Sequence, residues 1–177
     1  MAHNENDINT ISKNYKFLEN LKKNFNINNF GFSVYDIKVA NRILNFFPDA
    51  SLQFPYNILN NSFKNIKKKN NLFFARSVFC QGLLIRKKIK NFNTKLIISH
   101  KNYLKYINKN KIDPVELCLD YVFQQKNIDF IVYGINSIKE LKKNIGYTPK
   151  NNIRKKTIKE IKFIFKNNDV NPRNWSY

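Results

Sequence analysis

Apolar positions recur along this chain in two alternating rhythms. Ile11, Tyr15, Leu18 and Leu21 fall at helical spacing before the polar stretch Asn26-Ile27-Asn28, which predicts a first amphipathic helix. The short run from Asn29 to Ser33 reads as a strand. Asp36 is placed to cap a second helix with Ile37, Ala40, Ile43, Leu44 and Phe47 on its apolar face, and Pro48 closes it. Ala50 to Phe54 is the next strand, stopped by Pro55, which brings no backbone donor to a ladder. A Lys-rich third helix is expected over 61–69, and Leu72-Phe73-Phe74-Ala75 has the continuous apolar character of a strand buried on both faces. After a long helical region, Asp113 and Pro114 mark a helix start with Val115, Cys118, Leu119, Val122 and Phe123 inward. Asp129 to Tyr133 is the fourth strand, and Gly134-Ile135-Asn136-Ser137 turns into a helix carrying Ile138, Leu141 and Ile145.

Strand and helix thus alternate with short connections, as in right-handed βαβ units on a parallel sheet, so the fold class is α/β. Periodicity alone does not separate a doubly wound sheet from part of a barrel. With 177 residues, 42% of them hydrophobic, the chain suits one globular domain, here 1–177 with a tail from 149 packing on it.

The formal charge of +20 would ordinarily point to nucleic acid or an anionic membrane. The excess is nearly all Lys, accompanied by the Asn, Ile, Phe and Tyr of AT-rich codons, which makes codon bias the simpler cause. Lys67-Lys68-Lys69 and Arg86-Lys87-Lys88 read as solvated faces. Cys80 and Cys118 form no CxxC pair, and no secretory or membrane-spanning apolar run occurs, so the cytoplasm is the default compartment. A basic nucleic-acid-binding protein and a non-catalytic interaction domain are the alternative classes; interleaved aromatic–basic motifs for the former are lacking.

Specific residues then narrow the class. Gly31-Phe32-Ser33-Val34-Tyr35-Asp36, Leu52-Gln53-Phe54-Pro55-Tyr56-Asn57-Ile58-Leu59 and the run from Ala75 to Leu84 resemble, in order, the ends of the fifth, sixth and seventh strands of aldo/keto reductases. Gly134-Ile135-Asn136-Ser137, with Leu141, Lys143 and Asn144, resembles the loop and helix start after the eighth strand. Asn171-Pro172-Arg173-Asn174-Trp175 is similar to the ending of a bacterial subgroup, and His3-Asn4-Glu5 resembles the segment holding the family's catalytic histidine.

The resemblance implies a partial (β/α)8 barrel, strands five to eight, with its active end at the strand carboxy termini. It implies that Ser33 and Gln53 hold the nicotinamide carboxamide of NADP or NAD, that Arg76 takes the place of a stacking aromatic ring, and that Ser77, Phe79, Gln81 and Gly82 run along the pyrophosphate. Gly134, Asn136, Ser137, Lys139 and Asn144 would meet the adenosine end. The chain departs from the pattern at Val34, Arg76, Asn136 and Lys143, where the family commonly has asparagine, an aromatic residue, arginine and glutamate. His3 is the one catalytic position with a counterpart; the family's aspartate, tyrosine acid and lysine have none. A truncated oxidoreductase is therefore expected, either a degenerate cofactor-binding remnant or half of a split enzyme that needs complementation, its edge strands pairing with a second copy or with a separate amino-terminal half-barrel. His100 is expected on a helix surface, and Tyr35, Tyr103, Tyr106 and Tyr121 in packing roles.

Overall fold

The structure, a computed structural model, describes residues 10–11, 13–150 and 153–175. These divide into two compact units. One contains residues up to 55 with 62–76 and 127–131; the other contains 56–61, 77–126 and the residues from 132 onward.

The first unit holds helix α1 (Tyr15–Asn24), strand β1 (Gly31–Ser33), helix α2 (Ile37–Phe46) and strands β2 (Ser51–Pro55), β3 (Phe73–Arg76) and β4 (Phe130–Ile131). The strands form one parallel sheet in the order β1-β2-β3-β4. This is the α/β class and the parallel sheet expected from the sequence. Gly31 is needed where it stands: a Cβ there would lie 2.5 Å from the Ser51 carbonyl oxygen, so only hydrogen lets β1 and β2 approach at this register. Asp36 caps α2 as expected, its carboxylate accepting from the Lys38 N–H at 2.6 Å. Such a cap is worth about 1 kcal/mol.

One face of the sheet is covered. Phe32, Leu52, Phe54, Phe73 and Ala75 are almost fully buried there. Phe47 from the end of α2 stacks on Phe32 with ring centroids 5.6 Å apart, and Phe63 stacks on Phe54 at 4.4 Å. Phe63 and Ile66 do not belong to a helix. The helix expected over 61–69 is absent, replaced by turns in which the Ile66 N–H donates to the Phe63 carbonyl at 3.2 Å. Two buried side chains three residues apart anchor this connection, and its lysines gain no helical partner face. Strand and helix therefore do not alternate between β2 and β3.

Two side chains set the sheet's lower end. Asn71, buried, donates to the Ala50 carbonyl at 2.9 Å and to that of Pro48. Asp129 exchanges bonds with Phe73: its N–H donates to the Phe73 carbonyl at 3.0 Å, and its carboxylate accepts the Phe73 N–H at 2.8 Å and pairs with Lys68. Lys68 is thus the member of its basic run that is not simply solvated.

The second unit holds α3 (Thr94–Lys109), α4 (Pro114–Phe123), α5 (Ile138–Ile145), α6 (Lys155–Ile164) and a 3-10 turn (Pro172–Asn174). Asp113 caps α4 through the N–H groups of Val115 and Glu116 at 2.8 and 3.0 Å, with Pro114 in the first turn as expected. Cys118, Leu119 and Val122 are buried as expected, whereas Phe123 at the helix end is exposed. His100 is not a surface residue. It lies on the buried face of α3 with Leu96, Tyr103 and Ile107, and its Nε2 is 3.0 Å from the Arg86 carbonyl oxygen. Position 100 falls four residues after Leu96, on the same side of the helix, so the period and not the polarity decided its placement. Tyr103 and Tyr121 pack in the interior as expected; Tyr35 is exposed. The tail docks through Phe165 on Tyr103 and Trp175 on Phe92, with ring centroids 5.7 and 5.0 Å apart. No helix among the described residues is long and apolar enough to cross a membrane.

Candidate functional site

The sheet's other face differs from the covered one in composition. Ser33 pairs in register with Gln53, Gln53 with Phe74 and Phe74 with Phe130, so these four side chains form one row across the four strands. Arg76, two residues beyond Phe74, shares that face. Ser33 is nearly buried, Gln53, Phe74 and Arg76 are half-buried, and Phe130 is about half exposed, stacked on Phe74 at 4.8 Å. The ladder runs one residue past β1, because the Val34 N–H donates to the Gln53 carbonyl at 2.8 Å. Ser33 and Gln53 are therefore held side by side on adjacent strands, a hydroxyl next to a carboxamide. Together they offer donors and acceptors that match a primary amide. Val34 points into packing and is buried. Arg76 is engaged: its guanidinium lies 4.1 Å from the Tyr35 ring centroid, a cation–π stack that the sequence did not suggest.

In the second unit, Ser77, Phe79, Gln81 and Gly82 belong to one tight loop. Its backbone enters the left-handed region four times, at Ser77 (φ 55°), Cys80 (49°), Gln81 (53°) and Gly82 (85°). Non-glycine residues in that region cost roughly 1 kcal/mol or more each and cluster where a loop must present its backbone to a ligand; successive turns of this kind also gather N–H groups into anion-binding concavities. Asn57 supports the loop: its side-chain amide donates to the Ser77 carbonyl at 2.9 Å while its oxygen accepts from Leu59 and Asn60 N–H groups. The sequence displayed Asn57 within a family motif, but polarity alone gave it no role. Phe79 packs on Tyr133, centroids 5.9 Å apart. Cys80, buried, sends its thiol to the Val170 carbonyl, and burial raises its pKa to about 12, which removes it as a nucleophile near neutrality.

Gly134, Asn136, Ser137 and Lys139 lie exposed at the start of α5, and Asn144, half-buried, lies two turns beyond Ser137 on the same side of the helix. Lys139, two residues after Ser137, is set on the far side. The helix start is closed by a capping box: the Ser137 hydroxyl accepts the Glu140 N–H at 3.2 Å, and the Glu140 carboxylate accepts the Asn136 N–H at 2.8 Å. Glu140 thus puts a negative charge at the place where the resemblance seats a phosphate. No side chain of α5 is fully buried. Polar ties hold the segment instead. Asp120, buried on α4, accepts from the Tyr147 hydroxyl at 2.5 Å and from the Lys150 N–H at 2.9 Å, while Lys143 pairs with Asp113 at 2.8 Å and Lys150 with Glu116 at 2.6 Å. Burial and the Asp120 carboxylate both push the Tyr147 hydroxyl above its ordinary range. His3 lies outside the described residues.

Comparison with known proteins agrees with the strand-end motifs. The sequence matches the Aldo/keto reductase family over residues 1–165. None of the curated proteins compared with it by sequence matches. Among solved structures, the fold is similar to the glycerol dehydrogenase AKR11B4 from Gluconobacter oxydans (TM-score 0.61, 16% identity, 94% of this chain and 57% of that one). It is also similar to the aldo-keto reductase AKR11C1 from Bacillus halodurans in its holo form (TM-score 0.62, 20% identity, 82% of this chain and 53% of that one). The chain therefore spans little more than half the length of these structures.

Proposed function

Because this chain belongs to the aldo/keto reductase family, we propose that it binds a nicotinamide dinucleotide and serves as the cofactor-holding part of a carbonyl-reducing enzyme. The observation that carries this reading is the registered pair of Ser33, the last residue of β1, and Gln53, at the middle of β2, on adjacent parallel strands. Their hydroxyl and carboxamide orient the nicotinamide amide, and Arg76, already stacked on Tyr35, borders it with a cation. That positive charge favours the neutral reduced ring over the cationic oxidised one. In the second unit, Ser77, Phe79, Gln81 and Gly82 take the pyrophosphate through backbone N–H groups, while Asn136, Ser137, Lys139 and Asn144 take the adenosine end.

When bound, the cofactor supplies a hydride. The proton for the product alkoxide must come from a general acid, and neither the Ser33 hydroxyl nor the Gln53 amide can give one up near neutral pH. Turnover of a carbonyl therefore calls for a general acid other than these two side chains. The chain's edge strands remain available for pairing, either with another copy or with a complementary half-barrel.

Fragments test the two stations separately. Nicotinamide mononucleotide should shift the amide signals of Ser33 and Gln53 in a nuclear magnetic resonance titration, and Gln53→Ala should weaken it by about tenfold, the worth of one or two hydrogen bonds. Adenosine 5′-diphosphate should shift residues 77–82 and 136–144 and ignore Gln53→Ala. Absence of saturable binding by either fragment sinks the reading.

A further inference from the structure

We propose that two copies of this chain close their sheets into one eight-stranded ring about a twofold axis, with β4 of each copy pairing in parallel with β1 of the other. The inference deepens the reading of the sheet as an arc of a barrel, and rests on it, by naming the partner. Among the described residues β1 and β4 each have a single ladder neighbour, so both edges present backbone groups to the outside. The Val34 N–H is spent on β2, and by the alternation of a parallel strand the Ser33 N–H points the opposite way, out of the sheet.

The face that such a ring would enclose is unfinished. Phe130 stands about half exposed in the row Ser33, Gln53, Phe74, Phe130, and at the other end of the strands a cavity of about 420 Å³ is left between Ile11 and Leu18 on one side and Gly31, Ser51, Leu72 and Phe74 on the other. Barrel interiors are normally filled by layers of side chains.

Charge selects the occupant. The chain carries 32 Lys and Arg among its 177 residues, yet residues 24–37 around β1 and 127–138 around β4 contain none. Exposed edge strands are ordinarily guarded by lysine against pairing. Lysine reaches these segments only from outside them and is engaged within its own copy, Lys22 over the Phe30 ring at 5.8 Å and Lys68 on the Asp129 carboxylate, so neither edge strand carries a lysine of its own to oppose pairing, and Phe130 on β4 is exposed. The edges also complement each other in direction. Each copy offers one of each kind, so a twofold arrangement satisfies both junctions at once, and the four-stranded arc repeated twice gives the eight strands that a (β/α)8 ring requires.

Sedimentation velocity over about 1 to 100 µM should show a species of twice 21.1 kDa. Because each copy carries +20, raising salt should tighten the association by screening the like charges, whereas an acidic foreign partner would be released. Phe130→Lys, tolerated in the lone chain because the side chain is half exposed there, should weaken association by at least about a hundredfold, since the closed ring would bury the added charge. Hydrogen exchange on the unsubstituted chain gives a second measurement that does not depend on the variant's folding: the Ser33 amide should be protected at high concentration and exposed on dilution. A folded monomer across the whole range overturns the inference. So does a dimer indifferent to Phe130→Lys whose Ser33 amide exchanges alike at all concentrations. Nicotinamide mononucleotide titration of the same samples is read independently, so loss of the cofactor reading and loss of the ring are told apart.

Discussion

The two faces of one sheet follow different rules. On the covered face β1, β2 and β3 each contribute large apolar side chains or alanine that are almost wholly buried, Phe32, Leu52 with Phe54, and Phe73 with Ala75, while Ile131 of β4 is partly buried. On the other face the strands carry Ser33 and Ser51, which are buried, Gln53, Phe74 and Arg76, which are partly exposed, and Phe130, which is about half exposed. A strand alternates its side chains between faces, so the two sets interleave in sequence at every second residue. The covered set carries most of the packing of the unit, and the other set contributes less to it.

Substitution across the two faces should give the largest contrast. Phe54→Ala removes a ring stacked at 4.4 Å on Phe63 and should cost roughly 3–5 kcal/mol in urea unfolding. Phe74→Ala, one ladder position away on the other face, half-buried and stacked on Phe130, should cost less, about 1–2 kcal/mol in dilute solution. Equal losses would erase the distinction between the faces.

Buried and open polar groups should differ next, in their response to pH. His100 is buried, and desolvation lowers its pKa despite hydrogen bonds to backbone carbonyls that favour the charged form. A lowered folded-state pKa means that the unfolded chain takes up a proton near 6.5 while the folded chain does not. Stability is then fully present above that pH and falls as pH drops, with a slope of at most about 1.4 kcal/mol per pH unit, levelling off below the folded-state pKa. His100→Gln should remove this part of the acid sensitivity in chemical denaturation at a series of pH values. A slope that survives unchanged assigns it to other groups.

The smallest effect concerns an exposed charge. Glu140→Gln keeps the acceptor that closes the start of α5 and removes its negative charge. Affinity for adenosine 2′,5′-diphosphate should rise by a few-fold, while affinity for adenosine 5′-diphosphate should change less, because the carboxylate repels the extra phosphate most. Fluorescence competition would register both. An unchanged ratio removes Glu140 from any part in telling the two apart.

Much of the fold was legible in the sequence because it rests on local signals. Asp36, Asp113 and Ser137 announced their helices, and each side chain accepts an N–H as capping requires. The strands were found within two or three residues because aromatic runs between turns leave few other options. What sequence reasoning misread depended on partners far along the chain. The 61–69 stretch looked helical, yet Phe63 and Ile66 are pinned by tertiary contacts that local propensity does not register. His100 was read by its polarity, when its position four residues after Leu96 placed it inside. Among the candidate site residues, the neighbourhood of Ser33 and Gln53 needed the register of two strands, which a single sequence does not state. The Arg76–Tyr35 stack and the Asn57 support were invisible for the same reason, since a side chain's partner across space leaves no mark at its own position.

Asp129 shows how few atoms can key the last strand into place. β4 is two residues long, too short for its ladder to define an alignment, yet the Asp129 backbone and carboxylate grip both sides of the Phe73 peptide unit while Lys68 holds the carboxylate from behind. A shift by one residue would turn Phe130 to the covered side and leave that grip empty. The sheet's outermost rung is thus indexed by a single acidic side chain, much as one tooth sets the position of a ratchet.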